Sequence, residues 1–393
     1  MTTDIKLEQY DEYIKSIDWL ADADMPVAIT LEEVLEPAEG SGAVIFPPTF
    51  AVSKTATHPY QIDLLNKDLT PQEAAKSGLE ANICQIDGVG SQANRAETKF
   101  KESPLAALVP QVTVKLNDDT KANLLDIGHR IADGAVRFSG LRDDVTTAIK
   151  ALRDQANAAP LAKLAPTSLV FGFWDSRPDT TMYKFGRMLS STIRATNVEI
   201  VKRSAQYNPT FDPTLLGLAE DVPDGETEPQ ETSGKAADGK DPLSKLGLRA
   251  APAVNTHGGV RVYGQIVRRT QINLVRLRAL AVTNEGKLDE EETLKLRRYL
   301  LGLALIAARA QTDYNLREGC LLRCQKAQAQ LVYTNSDSQP FALEIKTALA
   351  YAEQAAAAFG VGERKDVTFD AKTAKQGVEE AKKAAKEKAG KKK

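Results

Sequence analysis

The sequence predicts a mixed α and β fold, and three observations predict it. Ser168-Leu169-Val170-Phe171-Gly172-Phe173 is a continuous apolar run, which fits a central strand covered on both faces. Val275-Arg276-Leu277-Arg278-Ala279 alternates, with Arg276 and Arg278 on one face and apolar side chains on the other, the period of a strand. Thr70-Pro71-Gln72-Glu73 and Asp289-Glu290-Glu291-Glu292 are helix starts. Each sets a capping oxygen three residues ahead of an acid, and the second places negative charge at the positive end of its helix.

In chain order, residues 1–26 read as an acidic amphipathic helix with Tyr10, Tyr13, Ile14, Ile17 and Leu20 on one face, packed on the body or docked on a neighbouring subunit. The body spans 27–350. Ala43-Val44-Ile45-Phe46 is a short strand stopped by Pro47-Pro48, and Leu64 to Asn82 is helical. Val198 to Tyr207 is a strand with Arg203 and Tyr207 on the same face. Residues 217–247 carry Gly, Pro, Asp, Glu and Lys and little apolar content. They read as a mobile acidic insertion, either a tolerated loop or a partner-binding lid. Val260 to Leu280 reads as a hairpin or two adjoining strands, and 255–280 is the candidate thumb. The helix opened by Asp289 has Leu294, Leu301 and Leu305 on its core face. Residues 361–393 form a Lys/Ala/Glu-rich tail whose closing Lys391-Lys392-Lys393 either touches nucleic acid or keeps the end solvated.

The 393 residues are 42% apolar, enough for a sizeable core in one large or two modest domains. Net charge is −2 and the pI is near 6.1, which argues against a general nucleic-acid binder. The distribution argues otherwise. Glu220, Asp221, Asp224, Glu226, Glu228 and Glu231 gather in one loop, while arginine concentrates from Arg249 to Arg323. A local basic stripe can follow a phosphate backbone. Cys84, Cys320 and Cys324 are too few for a disulfide framework and fit a reducing compartment. Cys320 and Cys324 are spaced to sit one turn apart on a helix, and buried thiols, not a metal site, are the expectation. No signal segment or membrane-length apolar run is visible, so the reading is cytoplasmic, with no cofactor.

Asp87-Gly88-Val89-Gly90-Ser91-Gln92-Ala93-Asn94-Arg95 is the segment richest in contact chemistry. Its glycines allow close backbone approach, Ser91, Gln92 and Asn94 offer uncharged hydrogen bonds, and Arg95 can fork onto phosphate. It lacks both the Gly-Lys-Ser/Thr of a phosphate loop and the third glycine of a dinucleotide fingerprint. The plain alternative is a turn into a helix capped by Ser91. His129 reads as a structural hydrogen-bonder or, with Asp126 or Asp133, an acid–base pair; Arg130 and Arg137 read as phosphate or base contacts. Trp174 either stacks on a base or ends a buried strand. Arg177 is a further contact, and Arg194 and Arg203 are contacts or solvated positions. No Gly-x-Ser-x-Gly elbow and no HExxH motif is present.

Four segments occur in order: Asp87–Arg95, Gly128-His129-Arg130 through Arg137-Phe138-Ser139, Phe173-Trp174-Asp175-Ser176-Arg177, and Asn255-Thr256-His257-Gly258-Gly259-Val260-Arg261. With Arg203-Ser204-Ala205-Gln206-Tyr207 and Tyr314-Asn315-Leu316-Arg317, they resemble the backbone subunit of the type I-G (formerly I-U) CRISPR surveillance complex, Cascade, a member of the RAMP superfamily. The resemblance runs from about Leu79 to Cys324. It implies an α+β, RRM-like (ferredoxin-like) core with large insertions and a thumb hairpin. It implies a non-catalytic subunit that binds CRISPR RNA, polymerises along the guide and presents it to target DNA in antiviral defence. The partners would be further copies of itself, guide RNA, target DNA, other Cascade subunits and a recruited helicase-nuclease. The RNA contacts would be Ser91, Gln92, Asn94, Arg95, His129, Arg130, Arg137, Trp174, Arg177, Arg194, Arg203, Gln206, Tyr207, Asn255, His257, Arg261, Arg268, Arg269, Asn315 and Arg317. Two alternatives stand beside it: a metal-dependent ribonuclease cutting target RNA through Asp87, and a protein-only assembly scaffold.

Overall fold

The structure, a computed structural model, describes residues 6–16, 24–51, 58–176, 181–207, 251–335 and 337–390, with a few isolated positions between 210 and 248. The strands that organise the body are β1 (Pro26–Pro37), β2 (Ile62–Leu64), β3 (Asn82–Asp87), β4 (Leu189–Thr196), β5 (Val198–Tyr207), β6 (Ala251–Val262), β7 (Ile266–Asn273), β8 (Tyr314–Arg317), β9 (Cys320–Tyr333) and β10 (Ser338–Pro340). The helices used below are α1 (Val89–Thr98), α2 (Arg142–Gln155), α3 (Pro166–Phe171), α4 (Leu274–Arg278), α5 (Glu290–Ala310), α6 (Ile345–Phe359) and α7 (Ala371–Gly390).

Eight strands form one antiparallel sheet in the order β8-β9-β1-β7-β4-β3-β2, with β10 paired to Gln330–Val332 of β9. Alternation assigns its faces. Ile29, Leu31, Glu33 and Leu35 of β1 are buried, whereas Thr30 and Glu32 are open to varying degrees. Register carries the pattern across, since Glu32 faces Arg269 of β7, which faces Thr192 of β4. The covered face receives α1 and α5. Helix α5 is apolar almost all round, with Leu296, Tyr299, Leu300, Leu301, Leu303 and Leu305 fully buried, which makes it the central pillar of the core. It packs so closely on α6 that a Cβ on Gly302 would lie 2.8 Å from the Ala352 Cα.

A second, smaller cluster joins Cys84, Ile86, Ile193, Val260, Ile266, Leu316 and Cys320. Cys84 lies on the sixth strand of the sheet and Leu316 on the first, so the sheet curls to bring its two sides together. Strands β5 and β6 form a separate antiparallel ribbon whose base pairs with Val44–Ile45. From Ile200↔Val260 to Lys202↔His257, β6 advances three residues for two on β5, a bulge. Gly259 supplies its left-handed residue, φ +92°, and a Cβ there would sit 2.6 Å from the Ile45 carbonyl oxygen.

Several sequence expectations are corrected. Residues 7–14 form two short turns, Leu7–Tyr10 and Asp11–Ile14, rather than one long helix; 1–5 and 17–23 lie outside the described residues. The turns are packed on the body. Ile14 is buried, Tyr10 meets Tyr351 edge-on at 4.9 Å, and Arg297 donates to the Ile14 carbonyl at 2.9 Å. Leu64 to Asn82 is not one helix. The capping box at Thr70 and Glu73 starts a helix that ends at Lys76, between β2 and β3. The run Ser168–Phe173 is mostly helix α3, because Pro166 fits the first turn and full burial suits either element. Val275–Ala279 is also helical. The Asn273 side chain caps α4 at the Arg276 N–H, turning Arg276 and Arg278 inward and leaving Val275 exposed. Residues 255–280 do not make one hairpin, since β6 belongs to the ribbon and β7 to the main sheet. Cys320 begins strand β9 and Cys324 lies on it, the first buried and the second exposed. The tail contains a strand, Lys365–Thr368, parallel to Val112–Lys115, before α7; 391–393 lie outside the described residues.

Candidate nucleic-acid interface

The glycine-rich segment is where a strand becomes a helix. β3 ends at Asp87, Gly88 takes the extended cap conformation, and α1 begins at Val89. Ser91 is therefore a first-turn residue and not the cap. Ser91 and Asn94, three apart, are both exposed. Gln92 is buried, and Arg95 lies half-buried.

Asp87 has no exposed surface and accepts three side-chain hydrogen bonds. Gln92 Nε2 donates at 2.7 Å, Arg95 Nε at 3.1 Å and Arg317 Nη2 at 2.9 Å. Arg95 also reaches the Leu316 carbonyl, and Arg317 donates to the Ile86 carbonyl at 2.9 Å. These bonds tie β8 to the β3–α1 junction and hold the sheet curled. The network continues inward. Gln92 Oε1 accepts from Arg268 Nε at 3.0 Å and Ser191 Oγ at 3.1 Å, and Arg268 Nη1 donates to Glu33 Oε2 at 2.6 Å and to the Ala308 carbonyl at 3.0 Å. Arg309 closes it on Glu33 Oε1 at 3.1 Å. Arg268, 1% exposed, and Gln92 are thus interior groups, and the expectation that they reach RNA is corrected. Sequence reading missed Glu33 and Arg309, although the alternation Ile29, Leu31, Glu33, Leu35 marks one acid on an apolar face.

The second segment divides similarly. Arg130 is 4% exposed, its Nε 2.7 Å from Glu97 Oε2 and its guanidinium 5.3 Å from the Phe171 ring centroid. It is a structural cation, which corrects its assignment as a contact. Burial raises the Glu97 carboxyl to about 7 against the opposing pull of Arg130. His129 is exposed, with Nδ1 3.8 Å from Asp133 Oδ2, whereas Asp126 is held by Lys101 at 2.6 Å. Arg137 is half-buried against Phe138 and lines, with Arg142, Lys150 and Asp175, a depression of about 440 Å³. Trp174 is 65% exposed beneath Lys184, whose Nζ is 5.4 Å from the ring, so it does not end a buried strand. Arg177 lies outside the described residues.

On the ribbon, Arg203 is exposed and pairs in register with Thr256, whose Oγ1 donates to its carbonyl at 3.1 Å. Lys202, not singled out from sequence, is exposed beside it. His257 is exposed and meets Tyr60 edge-on at 6.0 Å. Arg261 lies 3.8 Å from Glu199. The side chains of Gln206, Tyr207 and Asn255 lie outside the described residues. On the open sheet face, Arg194 is exposed, and Arg269 pairs with Glu32 at 2.9 Å beside a shallow depression of about 560 Å³.

The structure does gather one set of predicted residues. Asn94 and Arg95 of α1 and Asn315 of β8 line a groove of about 330 Å³ with Thr98, Lys99, Glu102, Gln311 and Asp313. Among the described residues no group of three or more His, Cys, Asp or Glu is placed to hold a metal ion, and no helix is long and apolar enough to cross a membrane. No curated protein matches the chain. Residues 29–200, which contain most of β1, all of β3, α1 and β4, and Asp87, match the family described as CRISPR-associated protein GSU0053, a likeness to a CRISPR-associated family over that stretch.

Proposed function

We propose that the protein is a non-catalytic CRISPR RNA-binding backbone subunit of a type I-G Cascade complex. Copies assemble along the guide and present it to target DNA, together with the other Cascade subunits and a helicase-nuclease recruited later. The observation that carries this reading is the order of four strands. β9-β1-β7-β4 are, in chain sequence, the last, first, third and second of a set, with α1 among the elements between the first and second and α5 between the third and fourth. That order supports reading the core as a βαββαβ, ferredoxin-like or RRM-like unit. The β5–β6 ribbon is inserted between the second and third strands, and its second strand overlaps the start of the 255–280 segment read as a thumb. The family likeness at 29–200 and the exposed Lys202, Arg203, Arg194 and Trp174 support it further. Sequence specificity would reside in the RNA, with the protein following backbone and shape, as in another RNA-guided effector.

The burial of Asp87 among two arginines and Gln92 weighs against a ribonuclease centred on it. The test is to co-express the chain with its CRISPR array, purify it, and extract and sequence the bound nucleic acid. Guide-length RNA derived from the array is the expected result. Protein free of RNA that also fails to bind guide RNA at low salt would overturn the reading. Regular cuts in labelled complementary RNA with magnesium would replace it with the nuclease.

A further inference from the structure

The open face of the sheet holds its side chains in rows. Register sets Gln330 of β9, Thr30 of β1, Gln271 of β7 and Ser190 of β4 side by side. Two residues along each strand, Gln328, Glu32, Arg269 and Thr192 form a second row, and the two rows line the depression of about 560 Å³. A third row has Lys326 and Arg194 at its ends, with Val34 and Val267 between them. The rows indicate what the face can hold. Lys326, Arg269 and Arg194 are exposed and Glu32 is the one acid among them, a surplus of positive charge that attracts a polyanion. A protein partner would need an apolar centre, and only Val34 and Val267 supply one. No residue of the three rows is aromatic, so bases have no platform to stack on. What this face can hold of a nucleic acid is its sugar–phosphate backbone.

We propose that the open sheet face distinguishes RNA from DNA, with Gln271 and Gln330 bonding ribose 2′-hydroxyls while Arg269 and Arg194 meet the phosphates beside them. A 2′-hydroxyl both donates and accepts, and a carboxamide answers in either direction. Among the described residues the Gln271 and Gln330 carboxamides make no hydrogen bond to the protein. They stand two strands apart, about 10 Å, with the shorter Thr30 between them, which leaves room for a sugar ring. Arg269 is held only by Glu32 at 2.9 Å, with both side chains more than half exposed, and such a surface pair gives way to phosphate at little cost. DNA would keep the phosphate contacts and lose the hydroxyl ones. Every ribose carries the same hydroxyl, so the selection is of sugar and not of sequence. This inference rests on the RNA-binding reading and adds sugar discrimination to it.

The experiment measures binding of the full chain, purified without its array, to one short labelled single strand of mixed sequence in three forms. They are RNA, DNA with uracil in place of thymine, and 2′-fluoro RNA, which keeps the sugar pucker of RNA without the hydroxyl. Wild type should bind RNA about tenfold more tightly than either of the others, the scale of two net hydrogen bonds. Gln271→Met with Gln330→Met keeps the side-chain length and removes the carboxamides. The double variant should bind all three forms at the wild-type DNA level, with an unchanged melting temperature. Arg269→Ala should weaken RNA and DNA by the same factor. Equal binding of RNA and DNA by wild type, 2′-fluoro RNA that binds like RNA, or a preference that survives the double substitution overturns the inference and leaves RNA binding standing. So does an Arg269→Ala variant that loses affinity for neither. Failure of wild type to bind any form at low salt overturns both.

Discussion

Asp87 and Glu97 sit ten residues apart on the same strand–helix unit, both buried but with different partners. Asp87 gains three donors, two of them guanidinium groups whose side chains are 30% and 24% exposed. Truncating the carboxylate leaves two partly buried cations unpaired and loosens the tie between β8 and β3. Asp87→Ala should therefore cost about 3 kcal/mol, the lower end for breaking a buried pair because the arginines keep some water. Denaturant unfolding checks it, and a loss under about 1 kcal/mol would show that the curl is held without this residue. Glu97 has one cationic partner and is buried, and desolvation raises its folded-state value from 4.5 to about 7. A raised value means that the fold holds the proton more tightly than the unfolded chain does. Stability from this group is fully present below about 4.5 and is lost as pH rises through about 7. Wild type should lose stability relative to the non-titrating Glu97→Gln over that window. Parallel pH profiles would show that Arg130 keeps Glu97 ionised throughout.

Elements were legible where a local signal belonged to one structure only. The Thr70–Glu73 box and the Asp289 cap both start helices, and Val198–Tyr207 is a strand at its expected bounds. Where the signal was shared, tertiary burial decided. An apolar run packed from all sides suits a helix as well as a strand, and Ser168–Phe173 went to helix against the rest of the core. The alternating arginines at 276 and 278 were likewise drawn inward, and Arg278 donates to the Tyr13 and Pro26 carbonyls at 2.8 Å. The ribbon was hidden because its two strands are separated by the acidic insertion. Tyr207 and Ala251 face each other in register, so the ribbon is complete on the sheet side of 208–250. Replacing 220–245 with a short Gly/Ser linker should leave the melting temperature within about 2 °C of wild type, because loop length contributes only logarithmically to stability. A larger fall would assign the insertion a structural role.

Across the whole molecule the arginines separate into two populations, which the sequence shows as one. Arg130, Arg268, Arg278 and Arg297 are interior cations that bond to acids and carbonyls; Arg194, Arg203 and Arg269 are exposed. A net charge of −2 therefore hides a surface on which cations are locally available, and it also hides cations that no polyanion can reach. Sequence alone could not divide them, because Arg268 and Arg269 are neighbours on β7 and only the pleat sends one inward and one outward. The division makes opposite forecasts. In RNA binding, the logarithm of affinity should fall linearly with the logarithm of salt concentration, with a slope of about −0.7 for each phosphate contacted on a single strand. Arg203→Ala should flatten that slope by about one contact and leave the melting temperature unchanged. Arg268→Ala should lower the melting temperature by leaving Glu33 Oε2 and Gln92 without their buried guanidinium partner, and should leave the salt slope of the remaining folded protein as it was. An unchanged slope in Arg203→Ala would move the RNA path off the ribbon. A flattened slope in Arg268→Ala would show that the β7 face opens when RNA binds.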